Sequence, residues 1–303
     1  MRDPAAVLSP FTASDGENIA LHDWPLPHGA ASRGVVVLVH GLGEHAGRYE
    51  ELAARLNDWG YAVRGYDQYG HGESSGPRGG LPAPARLIDD LADVLESTRQ
   101  RFGADRPLIV LGHSLGGLVA ASLVARNGAG VDALVLSSPA FDAGLGGVRK
   151  FLLATLPRVA PNLAVGNGVD PRFLSHDPDV VAAYRADPLV HDRISVRLGA
   201  FIADEGPQVL RCAGRWKVPT LLLYAGADGL VDPAGSRAFA AAAPPEVVDA
   251  HCFGPLYHEL FNEPDSGPVF ERLRQWLDRR FCASAPARAV RPPSGPPAPA
   301  IRN

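Results

Sequence analysis

Six short, nearly unbroken apolar runs punctuate this chain: Val35–Val39, Ala62–Tyr66, Leu108–Leu111, Ala133–Ser137, Thr220–Tyr224 and Glu246–Cys252. Runs without the polar–apolar alternation of a half-exposed strand belong to strands covered on both faces. Between them, Tyr49–Trp59, Arg86–Phe102, Leu115–Arg126 and Pro268–Phe281 carry apolar residues at helical spacing, with Leu52, Leu56 and Trp59 on one side of the first. Buried strands alternating with helices predict an α/β fold around a mostly parallel sheet. The opening stretch Val7–Trp24 reads instead as one or two antiparallel edge strands turning at Asp15-Gly16.

One region breaks the rhythm. From about Phe141 to Arg215 there is no convincing buried strand, only helical fragments separated by Pro157, Pro161, Pro171, Pro178 and Pro188. Leu152, Leu153, Leu156, Val159, Leu163 and Phe173 make this region apolar, and it reads as a helical cap inserted over the carboxyl edge of the sheet. The competing reading is a further pair of crossover helices in the main sheet. The expected organisation is therefore a core of 1–140 and 216–282, a cap of 141–215, and a disordered Pro- and Ala-rich tail of 283–303. At 303 residues and 46% hydrophobic composition, the chain is long enough to bury roughly three quarters of its unfolded surface.

Charge and cysteine content narrow the function classes. The formal net charge is −4 and nothing forms a basic stripe, so no nucleic-acid partner is expected. Cys212, Cys252 and Cys282 are odd in number and lack CxxC spacing, which suits a reducing compartment. The N-terminal MRDPAAVLSPFTASDG lacks the pattern of a secretion signal. No apolar run approaches the ~18 residues of a membrane span. The expected setting is cytoplasmic.

The chemistry centres on LIVLGHSLGG at 108–117, a G-x-S-x-G pentapeptide between an apolar run and the helical LGGLVAASLVARN. Such a turn is so sharp that side chains at Gly112 and Gly116 would collide with neighbouring backbone, and its reward is a raised Ser114 hydroxyl. A serine needs a base, and the base an orienting acid. In this kind of scaffold they follow in the order Ser, Asp or Glu, His. Asp228 lies just past the Thr220–Tyr224 run, and His258 lies after the next one. Asp232 and Asp142 compete with Asp228. His251 falls inside a strand pattern, and His113, by strand-end geometry, points away from the serine.

A tetrahedral intermediate needs donors for its oxyanion. The backbone N–H of Leu115 is one candidate and that of Leu42, flanked by Gly41 and Gly43, is the other. The same segment has a rival reading. Gly41-Leu-Gly43-Glu-His-Ala46 after a strand, with Asp67 ending the next, fits a dinucleotide fingerprint. That reading leaves Ser114, Asp228 and His258 without a purpose. Metal readings fail as well: HELFN lacks the second histidine of HExxH, and His40 with His45 has no third ligand in view.

HGLGEHAGRY, YDQYGHGESSGPRG, GHSLGG, GADGLVDP and YHELFNEP, in this order over about residues 10–282, resemble the monoacylglycerol lipase group of the α/β-hydrolase superfamily. Bacterial members are often labelled lysophospholipase or serine-aminopeptidase-like hydrolase. The resemblance implies an α/β-hydrolase fold with a helical cap and hydrolysis of acyl esters, monoacylglycerol first, without metal or organic cofactor. It assigns Ser114, Asp228 and His258 as nucleophile, acid and base, and Leu42 and Leu115 as oxyanion amides. Arg48 reads as structural, Glu44 and His45 as ordering the oxyanion loop, and Asp67–Gly79 as a supporting turn built on Gly70, Gly72, Gly76 and Gly79. The likeness fades within 141–215, the part that shapes an acyl pocket. An apolar cap also suggests transient contact with membranes or micelles.

Overall fold

The computed structural model describes residues 6–126, 130–142 and 156–281. Eight strands form one sheet in the order β1-β2-β4-β3-β5-β6-β9-β10. They are β1 (Val7–Thr12), β2 (Asn18–Trp24), β3 (Gly34–Val39), β4 (Tyr61–Tyr66), β5 (Leu108–His113), β6 (Ala133–Ser137), β9 (Thr220–Ala225) and β10 (Val248–Phe253). The β1–β2 and β2–β4 pairs are antiparallel and all other pairs are parallel.

The unbroken apolar runs have the cause expected of them. Each central strand, β3 to β6 and β9, is buried along its whole length. Alternate residues then face opposite layers. Val35, Val37 and Val39 enter one core with Leu108, Val110, Leu134 and Leu136, while Val36 and Leu38 enter the other with Ile109, Leu111 and Val135. The first layer is roofed by α2 (Arg86–Phe102) and α3 (Leu115–Ala125), the second by α1 (Glu50–Asp58).

Two features depart from the expectation. Within 141–215, the stretch Val196–Cys212 is one long helix, α5, and its Leu198, Phe201 and Val209 enter the same core as α3. Parallel neighbours β6 and β9 need a crossover on one face of the sheet, and α5 supplies it. Pro207 sits inside this helix. The second feature is α6 (Pro233–Ala242), whose apolar period is weak because Phe239 is its one large apolar side chain. A last helix, α7 (Gly267–Arg280), closes the second layer with Phe270, Leu273 and Trp276.

The stretch 156–195 is different in kind. It holds a two-stranded antiparallel pair, β7 (Ala164–Gly166) with β8 (Arg193–Ser195), and the helix α4 (Pro178–Ala186). Its backbone is bonded to loops that follow β3, β4 and β10: His191 N–H to Gly43 O at 2.9 Å, Ser195 N–H to Gly79 O at 2.8 Å, and Glu259 N–H to Leu174 O at 2.8 Å. Leu152, Leu153, Cys282 and the tail 283–303 lie outside the described residues.

Candidate active site

Ser114 stands at the junction of β5 and α3 with φ 52° and ψ −117°. Holding a residue with a side chain in such a conformation costs about 1–3 kcal/mol and needs support from the surroundings. The support is backbone: Ser114 N–H bonds Ser137 O at 3.0 Å, and its carbonyl accepts Leu118 N–H at 3.1 Å and Ala140 N–H at 3.0 Å. The glycines on either side are required by close approach. A Cβ on Gly112 would lie 2.5 Å from Gly116 O, and one on Gly116 would lie 2.1 Å from Val39 O. Leu115 opens α3, so its N–H has no acceptor within the helix.

Asp228 and His258 come from the loops after β9 and β10, thirty positions apart in the chain, and meet with Nδ1 to Oδ2 at 2.7 Å. Both side chains are nearly sealed from solvent, 4% exposed for His258 and 3% for Asp228. The other carboxylate oxygen of Asp228 accepts Leu230 N–H and Val231 N–H, each at 2.9 Å. Burial alone would weaken the hold of His258 on a proton; the charge and hydrogen bond of Asp228 outweigh it and leave the imidazole pKa above its ordinary value. For Asp228, burial pushes upward, and His258 with the two amides brings the carboxyl below the usual range. A carboxylate on Nδ1 assigns the proton to that nitrogen, so Nε2 is the one free to accept.

The Ser114 side chain makes no hydrogen bond to His258 in this structure. The two segments are nevertheless adjacent, because the ring of His113 lies 4.7 Å from that of His258. His113 therefore does more than point away from the serine. It is buried against His258, its Nδ1 is 3.1 Å from Ser137 O, and burial followed by repulsion from His258 lowers its pKa to about 4. It is a neutral floor for the imidazole at pH 7.

The loop after β3 abuts this pair. A Cβ on Gly41 would lie 3.2 Å from Ser114 Cβ, which sets Gly41 and the following Leu42 beside the serine. Glu44 orders the loop by accepting Gly41 N–H at 2.6 Å and the Tyr49 hydroxyl at 2.8 Å. Arg48 Nη1 donates to Glu44 at 2.5 Å and to Glu259 at 2.7 Å, and its Nη2 donates to Glu259 at 2.9 Å. His45 pairs with Asp187 of the 156–195 stretch at 2.8 Å. Below, Asp67 accepts Ala46 N–H and Glu73 N–H, each at 2.8 Å, and Gly70, Gly72, Gly76 and Gly79 all take positive φ in the turn that follows.

The alternative residues fall elsewhere. Asp232 is exposed and caps α6, accepting Ala234 N–H at 2.8 Å, and the carbonyl of Asp142 accepts Asp232 N–H at 3.1 Å. His251 lies exposed on the edge strand β10 against Phe253. Among the described residues no group of three or more His, Cys, Asp or Glu is arranged to hold a metal ion. What the sequence reading missed is the clasp around His258. Buried Glu263 accepts the backbone N–H of His176 at 3.0 Å, bonds His176 Nδ1 at 2.9 Å and holds Tyr257 N–H at 2.5 Å. No spacing announces such a clasp, since its partners lie some 87 positions apart.

Strand order, the antiparallel β1–β2 edge and a strained serine between β5 and α3 make this an α/β-hydrolase. The pattern of the family described as serine aminopeptidase, S33, matches residues 30–265, and the chain belongs to that family. It is 36% identical over 248 residues to a monoacylglycerol lipase of Mycolicibacterium smegmatis, with 81% of this chain and 88% of that one covered. Phospholipase YtpA of Bacillus subtilis is 31% identical over 250 residues, with 81% and 95% covered. The crystal structure of a monoacylglycerol lipase from Paleococcus ferrophilus matches with a TM-score of 0.77 at 34% identity, over 86% of this chain and 98% of that one.

Proposed function

We propose that this protein hydrolyses carboxylic esters of acyl chains through an acyl-enzyme on Ser114. The observation that carries the reading is the buried 2.7 Å Asp228–His258 pair beside the strained Ser114 turn. His258 Nε2 takes the hydroxyl proton as Ser114 Oγ attacks the ester carbonyl, and the backbone N–H groups of Leu42 and Leu115 hold the oxyanion. The protonated imidazole then returns its proton to the leaving alcohol. Water repeats the sequence and releases the acid. Hydrogen bonds of this kind tighten when substrate arrives, so an unmade Ser114–His258 bond in the free enzyme is compatible with the role.

Monoacylglycerol is the first substrate class, supported by the monoacylglycerol lipases at 36% and 34% identity. Lysophospholipid is the second, supported by the phospholipase relative at 31%. The proposal includes a cap within 141–215, of which 156–195 covers the site and α5 belongs to the sheet layer. Val159, Leu163, Val165 and Phe173 are exposed there and would meet acyl chains at a membrane or micelle surface. No helix among the described residues is long and apolar enough to cross a membrane. A cytoplasmic setting belongs to the same proposal, supported by Cys212 and Cys252 being free thiols.

The test is a panel of glycerol esters, lysophospholipids and aminoacyl amides, run with a fluorophosphonate probe. Labelling at Ser114 together with glycerol-ester turnover is the expected result. Turnover of amides alone would replace the ester reading, and an unlabelled Ser114 would end it.

A further inference from the structure

Two buried carboxylates share one guanidinium beneath the base. Glu44 and Glu259 both contact Arg48, and each side chain is 5% exposed. Every hydrogen bond they make is received from a donor. Glu44 takes Gly41 N–H, the Tyr49 hydroxyl and Arg48; Glu259 takes Arg48 twice and Asn262 Nδ2 at 2.7 Å. Burial works against the Glu44 charge, yet Arg48 and the nearby histidines hold its carboxyl down at about 2. The adjacent imidazoles of His40 and His113 are lowered, by burial first, and add no compensating charge at pH 7. Two anions thus face one cation.

The same three residues form a mechanical bridge. Glu259 is the direct chain neighbour of His258, and Glu44 holds the peptide N–H of Gly41, next to Leu42. Arg48 joins the two, with Tyr184 of α4 lying 4.8 Å over its guanidinium. A shift of the base loop is therefore felt at the loop that presents the oxyanion amide.

We propose that Glu259 is a positioning residue for ester hydrolysis: through Arg48 and Glu44 it sets the base loop against the oxyanion loop, and its uncompensated charge supports the imidazolium that His258 becomes during acylation. This rests on the reading of Ser114, His258 and Asp228 given above. The groups facing His258 are Asp228 in direct contact, neutral His113 beneath it, and Glu259 and Glu44 beyond. Those facing Glu259 are Arg48, Glu44, Tyr49, Tyr184, Asn262, His258 and the neutral His113. Among the influences that strengthen proton binding at His258, Asp228 is the largest, and Glu259 and Glu44 act in the same direction. Glu259 supplies an increment on the Asp228 effect.

The experiment compares the full chain with Glu259→Gln and Glu259→Asp. It reads the pH dependence of fluorophosphonate labelling at Ser114, kcat and KM on a p-nitrophenyl acyl ester, and the melting temperature. Glu259→Gln keeps the shape and an acceptor oxygen for Arg48 but removes the charge. The expected result is a kcat lowered about three- to tenfold, KM within about twofold, and an acid limb moved down by about 0.5–1 pH unit. Glu259→Asp keeps the charge and should keep the wild-type limb while kcat falls. A folded Glu259→Gln whose limb is unmoved overturns the proposal, whatever its rate. Should Glu259→Gln not fold, Glu44→Gln gives the same decision from the other carboxylate: a lowered limb supports the proposal and an unmoved one overturns it. Failure of the wild-type chain to label at Ser114 is a separate outcome and sinks the underlying hydrolase reading.

Discussion

Around Ser114 backbone packs on backbone, with Gly112 and Gly116 leaving no room for a Cβ, whereas around His258 the holding is done by side-chain charges and by the 156–195 stretch. The first region is stiff because its contacts are steric and run from backbone to backbone, within the turn and across to β3 and the end of β6. The second is assembled from Asp228, Glu259, Glu263 and His176, whose positions depend on three loops meeting. Steric contacts do not relax, while ion pairs and hydrogen bonds do so at moderate cost. The two halves of one site should therefore fail differently.

Gly116→Val tests the stiff half and should have the largest effect. A side chain with Cβ 2.1 Å from Val39 O has nowhere to go, so folded protein should be lost, judged by circular dichroism. Folded Gly116→Val protein with wild-type melting would break the contrast. Ser114→Ala adds no atoms, so it should melt like the parent and lose about 10⁴–10⁶ in turnover. Next, Asp228→Asn should lose about 10³–10⁴ in kcat, because the amide favours the wrong imidazole tautomer. Asp232→Asn, which keeps a capping oxygen for α6, should stay within about threefold. The reverse order in steady-state kinetics would reassign the acid.

Smaller effects probe the soft half. Glu263→Gln keeps an acceptor but loses the charge paired with His176, so the His258 loop should loosen without unfolding. We expect about a tenfold loss of kcat with a melting shift of about 2–4 °C. Global unfolding instead would show that this clasp belongs to the core. The last test is pH. His258 must be neutral to accept a proton, and its pKa lies above 6.5, so kcat/KM should rise with pH and reach half-maximum above 6.5. Asp228, held low, stays ionised throughout this window. In Asp228→Asn the residual limb should move downward; an unmoved limb would assign it to another group.

Much of the frame was legible because its causes are local. Val35–Val39 reads as a doubly covered strand because a short β-branched run flanked by glycines suits a strand better than a buried helix. GHSLG marks a tight turn because Gly112 approaches Gly116 four residues away, while Gly116 itself answers to Val39 on β3. The period of Arg86–Phe102 marked a helix whose bounds agree with the structure. Harder segments were those whose character depends on distant partners. Val196–Cys212 lies in the stretch that reads as a cap, yet its Leu198, Phe201 and Val209 pack with α3 in the sheet core. His113 looked like a bystander until the β10 loop laid His258 against it.

By itself, then, the amino-acid order determined the strands, the serine turn and the residue types available to it, because hydrophobic period and the approach of Gly112 to Gly116 act over a few residues. Tertiary structure alone decided that His258 meets Asp228, that His113 lies beneath it, and that Glu259 and Glu263 anchor its loop. Those meetings join loops tens to hundreds of positions apart. Sequence spacing carries no distance information over such a range, and only the packed sheet brings the loops to one edge.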